Sequence, residues 1–175
     1  MGLRAAFEMT KRITDQSDAN FIIHLDHGSE EEVLEAIELG FTSIMFDGAH
    51  HEFEDNLKVT REIVKRCHDH GIFVEAELGR IPDVGQQVNW QDFYTNVAEA
   101  ERFAAETGID SLAISCGVVH GVMPNLKPEP LAIDIVEKIK AVVNVPLVMH
   151  GASGVPDSEI KAVIAAGISK INADT

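Results

Sequence analysis

The chain has 175 residues, is 45% hydrophobic and 25% charged, and carries 14 Lys and Arg against 29 Asp and Glu, a formal net charge of −15. Length and composition fit one soluble globular domain over residues 1–175, and the negative field excludes nucleic acid or an anionic membrane as the main partner. No apolar run approaches the ~18 residues of a membrane span, and residues 1–7 lack the apolar stretch of a signal peptide. Cys67 and Cys116 lie too far apart to form a metal-type pair, so a reducing cytoplasm is the expected compartment and both thiols read as buried bystanders.

In chain order, residues 3–16 read as an amphipathic helix, with Leu3, Ala6, Phe7 and Ile13 along one side. Six short apolar runs follow, at 21–26, 42–47, 72–77, 111–115, 145–150 and 168–172. Their near-continuous apolar character suits parallel strands covered on both faces. Between them the helical period predicts helices at 30–39, 53–70, 96–107, 130–142 and 156–166. Ser29 and Glu32 make a capping box at the first of these. Gly40, Gly71, Gly108 and Gly167 stop helices, and each is followed at once by Phe or Ile opening a strand. Pro156 suits a first helical turn. One strand–helix unit every 25–30 residues predicts a βα architecture.

The polar residues choose between an open doubly wound sheet and a (β/α)8 TIM barrel. No dinucleotide fingerprint or P-loop follows any strand. Nearly every strand instead ends in a group able to do chemistry: Asp26 and His27, Asp47, Glu77, His150 and Asn172, with His120 in the loop after Ser115. A barrel brings all strand C-termini to one mouth, where the active site lies. The expectation is therefore an α/β (β/α)8 TIM barrel cut to about six βα units, without its first two strands and its C-terminal helices.

Of the eight histidines, His50, His51, His68 and His70 read as solvated, and His24 as a hydrogen-bonded core residue. His27, His120 and His150 differ, because each follows a strand and precedes a glycine. Three imidazoles from three strand ends supply the three-ligand set of a catalytic zinc with one open position. Asp26 directly precedes His27. Strict strand alternation would send the two to opposite sides, so a shared direction requires a break in register before Gly28. Asp47 and Glu77 either hold a second cation or hydrogen-bond metal-ligating histidines, or serve as helix N-terminal carboxylates. The small-residue turn Gly151, Ala152, Ser153 and Gly154 can offer backbone N–H groups to an oxyanion. Lys170 shares a strand face with Asn172, as a candidate Schiff-base lysine or as an internal ion pair.

The runs HLDHG (24–28), IMFDGAH (44–50), VEAELGR (74–80), VHG (119–121), VMHGASG (148–154) and KINADT (170–175) resemble class II, zinc-dependent ketose-bisphosphate aldolases. That family includes the fructose-1,6-bisphosphate and tagatose-1,6-bisphosphate enzymes. The resemblance covers roughly residues 20–175, with the motifs in order. It implies a zinc lyase that reversibly cleaves a ketose 1,6-bisphosphate to dihydroxyacetone phosphate and glyceraldehyde 3-phosphate. Asp26 matches the catalytic acid/base, and His27, His120 and His150 match the zinc ligands. Asp47 and Glu77 match positions tied to a second divalent or a monovalent cation. Gly121, Gly151, Ala152, Ser153, Asn172, Ala173, Asp174 and Thr175 match the contacts to dihydroxyacetone phosphate. The segments 79–85 and 122–128 depart from the family pattern, and the alternative function is a non-catalytic barrel fragment that keeps the zinc and phosphate pocket. A homo-oligomer is expected.

Overall fold

The computed structural model describes residues 2–79, 89, 93–118 and 131–173. After helix α1 (Leu3–Thr14) the chain alternates strand and helix: β1 (His24–Gly28), α2 (Glu30–Leu39), β2 (Ser43–Phe46), α3 (Phe53–His68), β3 (Phe73–Leu78), α4 (Val97–Thr107), β4 (Ser111–Ile114), α5 (Ile133–Val142), β5 (Leu147–Met149), α6 (Asp157–Ala166) and β6 (Ile168–Ile171). All five strand pairings are parallel, and the order in the sheet is the order in the chain. The result is an α/β fold, a curled half-barrel of six parallel strands with six helices among the described residues. The first predicted strand is displaced: it begins at His24 rather than Phe21, and Phe21 and Ile22 are exposed.

Local signals account for the element ends. Ser29 caps α2 by accepting from the Glu32 N–H while Glu32 reaches back to the Ser29 N–H, a complete capping box. Asn96 does the same work for α4 through the N–H groups of Ala98 and Glu99. Gly40 closes α2 at φ 88°, a left-handed conformation that costs a glycine nothing.

Strand alternation divides the sheet into two chemically different faces. Leu25, Ile44, Phe46, Val74, Ala76, Leu78, Leu112, Ile114, Leu147 and Met149 pack into one continuous apolar core with the helices. The opposite, concave face carries polar residues among the buried Met45, Ala113 and Val148. His24, Ser43, Glu75, Ser111 and Lys170, from five strands, form a hydrogen-bonded layer across it. The strand ends stand above that layer.

Candidate active site at the strand ends

The break in register expected before Gly28 is present. Leu25 pairs with Ile44 but Gly28 pairs with Phe46, so β1 carries one residue more than β2 between those points. A β-bulge of this kind re-aims side chains. His27 takes up the extra residue at φ 51°, the sole positive φ of a non-glycine among the described residues. Such values are uncommon outside glycine and mark sites where function holds the backbone. Gly28 packs closely, since a Cβ there would meet Leu25 Cδ2 at 2.6 Å and the Met45 carbonyl at 3.2 Å and would push the Leu25 side chain aside.

The bulge lets Asp26 and His27 face the same space, where His150 arrives from the end of β5. One ligand atom from each of Asp26, His27 and His150 lies within 4.8 Å of the others. His27 Nε2 and His150 Nδ1 are 3.1 Å apart. Each imidazole gives its other nitrogen to a carboxylate: His27 Nδ1 meets Asp47 Oδ2 at 2.9 Å and His150 Nε2 meets Glu75 Oε1 at 2.8 Å. A carboxylate only accepts, so those two nitrogens carry protons and, where the rings are neutral, the facing nitrogens present lone pairs. Two lone pairs 3.1 Å apart repel unless a proton or a cation lies between them.

This donor set fits a zinc ion. Zn–N bonds of about 2.0–2.1 Å at tetrahedral angles place ligand nitrogens about 3.3 Å apart. Metal-bound histidines also characteristically donate their second N–H to a carboxylate. Of the three histidines expected together, the structure brings together His27 and His150. His120 and Gly121 lie outside the described residues, as do Asp174 and Thr175.

Electrostatics separates the carboxylates. The hydrogen bond that His27 Nδ1 donates to Asp47 holds the imidazole above its usual range and keeps Asp47 below the ordinary carboxylate range. Glu77, from the end of β3, is pushed up to about 7 by burial. Its Oε2 is buried without a hydrogen-bond partner among the described residues. Asp47 Oδ1 also accepts from the Ala49 N–H, which fixes the turn after β2.

The turn after β5 is tied to the end of β6. The Ala152 N–H donates to the Asn172 carbonyl at 3.1 Å, and the Asn172 N–H donates to the Met149 carbonyl at 2.9 Å. Ala152 N–H is therefore already engaged, while Gly151 turns the chain at φ 64°. Asn172 Nδ2 donates to Asp26 Oδ1 at 3.4 Å and lies 3.5 and 3.2 Å from the two ring nitrogens of His150. Ala173 follows it within the described residues.

Several residues outside the expected set matter here. Glu75 supports His150 from the layer below, a role that sequence reasoning passed over. Lys170 Nζ sits 2.8 Å from Glu75 Oε2, so among the two readings offered for it the ion pair is the one formed. His24 is bonded through Nδ1 to Ser43 Oγ at 2.7 Å, and burial lowers its pKa. Among the other described histidines, His68 pairs with Asp110, His70 Nδ1 donates to the Arg66 carbonyl, and His50 stacks on His51. Cys67 and Cys116 are buried, free and pushed up to about 11 and about 12 by burial.

Comparison with known proteins gives this geometry a context. The chain is 46% identical over 154 residues to a fructose-bisphosphate aldolase of Streptococcus pyogenes, covering 87% of this chain and 52% of that protein. It is 38% identical over 178 residues to a 6-phospho-5-dehydro-2-deoxy-D-gluconate aldolase of Shouchella clausii, covering 99% and 60%. The crystal structure of the YdjI aldolase from Escherichia coli K12 superposes with a TM-score of 0.84 at 35% identity, over 99% of this chain and 60% of that one. The chain thus spans about half to three-fifths of the length of these relatives. Residues 1–175 match the class-II fructose-bisphosphate aldolase family throughout, and the chain belongs to that family.

Proposed function

We propose that the protein is a zinc-dependent aldehyde-lyase that reversibly cleaves a ketose 1,6-bisphosphate, such as fructose or tagatose 1,6-bisphosphate, to dihydroxyacetone phosphate and glyceraldehyde 3-phosphate. The observation that carries this reading is the convergence of Asp26, His27 and His150 on one point at the strand ends. His27 and His150 would hold the zinc, with His120 as the third ligand. Zinc in that position supplies Lewis-acid polarisation of the substrate carbonyl.

The chain's own residues do the rest. Asp26 is exposed at the mouth, where its carboxylate takes the C4 hydroxyl proton in cleavage and returns it in condensation. Asn172 donates to Asp26 Oδ1 and so aims the other oxygen at substrate. Asp47 fixes the His27 ring. Glu77, buried with one oxygen free of hydrogen bonds, suits a second cation position. Gly121, Gly151, Ala152, Ser153, Asn172, Ala173, Asp174 and Thr175 would cradle the C1 phosphate, with Ala152 shaping the turn. The half-barrel corresponds to six βα units of a (β/α)8 barrel, working in the cytoplasm as a homo-oligomer.

The relatives' names differ in substrate, so the sugar is the finest part of the reading. The test is release of dihydroxyacetone phosphate from each bisphosphate by the purified protein, before and after chelation and zinc readdition. Cleavage that disappears with chelator and returns with zinc is expected. The second reading is a non-catalytic barrel module that retains the pocket. Zinc uptake without cleavage of either bisphosphate would select it.

A further inference from the structure

The polar layer beneath the mouth holds a connected chain of groups that leads from the proposed ligand His150 to residues the proposed reaction does not use. His150 Nε2 lies 2.8 Å from Glu75 Oε1, and both side chains are only 3% exposed. Glu75 Oε2 receives Lys170 Nζ at 2.8 Å and the Ser111 hydroxyl at 3.4 Å. Lys170 Nζ in turn lies 3.3 Å from His24 Nε2. These residues come from β1, β3, β4 and β6, with His150 directly after β5. Burial disfavours the charged carboxylate, and the lysine and imidazole beside Glu75 offset that cost.

We propose that Glu75, held in place by Lys170, is a positioning residue that locks His150 as the Nε2–H tautomer with Nδ1 aimed at His27 and Asp26. The inference rests on the metal reading above and extends it to a residue below the ligand set. An acceptor-only carboxylate at Nε2 leaves Nδ1 as the ring's lone-pair nitrogen. It also fixes the ring plane, because the imidazole is clamped at its far end before any ligand arrives. Lys170 thereby acts on the site through two intermediaries and needs no covalent contact with substrate.

The direct test is the imidazole nitrogen NMR spectrum of the metal-free protein, with His150 assigned by its loss in His150→Gln. A protonated Nε2 and an unprotonated Nδ1 are expected, and the opposite tautomer overturns the proposal. The second test is zinc affinity by chelator competition. Glu75→Gln keeps shape but weakens the clamp, and loss of such outer partners costs about 10–100-fold in metal affinity. Lys170→Met, which keeps Glu75, should show a smaller loss. Unchanged zinc affinity in a folded Glu75→Gln protein overturns the inference while leaving the aldolase reading intact. Failure of the unaltered protein to take up zinc removes the aldolase reading and this inference with it. Should Glu75→Gln fail to fold, the tautomer of the unaltered protein still decides.

Discussion

Two histidine–carboxylate pairs face each other across the candidate site, alike in chemistry and opposite in setting. His150 and Glu75 are each 3% exposed, whereas His27 and Asp47 are 29% and 34% exposed. Burial drives the Glu75 carboxyl up, yet the hydrogen bonds from His150 and Lys170 outweigh it and hold the group below its usual range. Asp47 reaches a similar state with one imidazole and a backbone N–H. The difference teaches that the deep pair depends on a charged third residue, Lys170, while the shallow pair is completed by a backbone N–H and partial exposure to solvent. One pair is a piece of the barrel interior; the other is an adjustable rim.

The largest expected effect falls between the pairs, on Asp26. Asp26→Asn should lower turnover by about 10²–10⁴ while leaving the thermal midpoint nearly unchanged, because the side chain is exposed. Steady-state cleavage assays beside a melting curve check this, and near-normal turnover would move the acid/base role elsewhere. The next effect breaks the deep pair. Glu75→Leu strips His150 and Lys170 of their carboxylate, a change that costs about 3–5 kcal/mol when a buried pair loses one member. Lys170 is 39% exposed and can turn to water, so the lower end applies. Asp47→Ala should cost no more than about 1 kcal/mol, the range of partly exposed pairs. Urea denaturation of both variants compares them, and equal losses would erase the distinction between deep and shallow.

An effect of about the size of the shallow pair's lies at the exposed start of α2. Glu32 accepts from the Ser29 backbone N–H and hydroxyl, which hold its carboxyl below the usual range. Its contribution to stability is therefore complete above the unfolded pKa, about 4.3, and is lost as pH falls through the lowered folded value. Ser29→Ala should cost about 1 kcal/mol, and Glu32→Gln should flatten the acid limb of stability against pH. An acid limb of unchanged slope in Glu32→Gln would assign that limb to other carboxylates.

Much of this arrangement is legible in the sequence because it is local. The strand–helix alternation, the Ser29–Glu32 box and the Gly40 stop each lie within a few residues of one another. Even the bulge is readable, since adjacent Asp26 and His27 cannot both serve one site on a regular strand. The role of Glu75 is not legible in this way, although it stands two residues before Glu77 and so shares its face of β3. Its partners are distant: His150 lies 75 residues on and Lys170 lies 95 residues on. A run such as VEAEL shows that two glutamates point one way, but only the curled sheet shows what stands opposite them. The start of β1 differs from the expected one for the converse reason. Phe21 and Ile22 are apolar, yet they pack against little and remain 55% and 75% exposed.

The backbone at His27 also acts as a filter on sequence drift. At φ 51° the chain admits Gly, Asn, Asp and His far more readily than branched side chains. Within that short list only histidine brings an imidazole, so selection on chemistry and selection on conformation converge on one residue. Asn at position 27 is then the cleanest way to delete the ring while sparing the bend. Val there would offend twice, and its phenotype would not say which offence mattered.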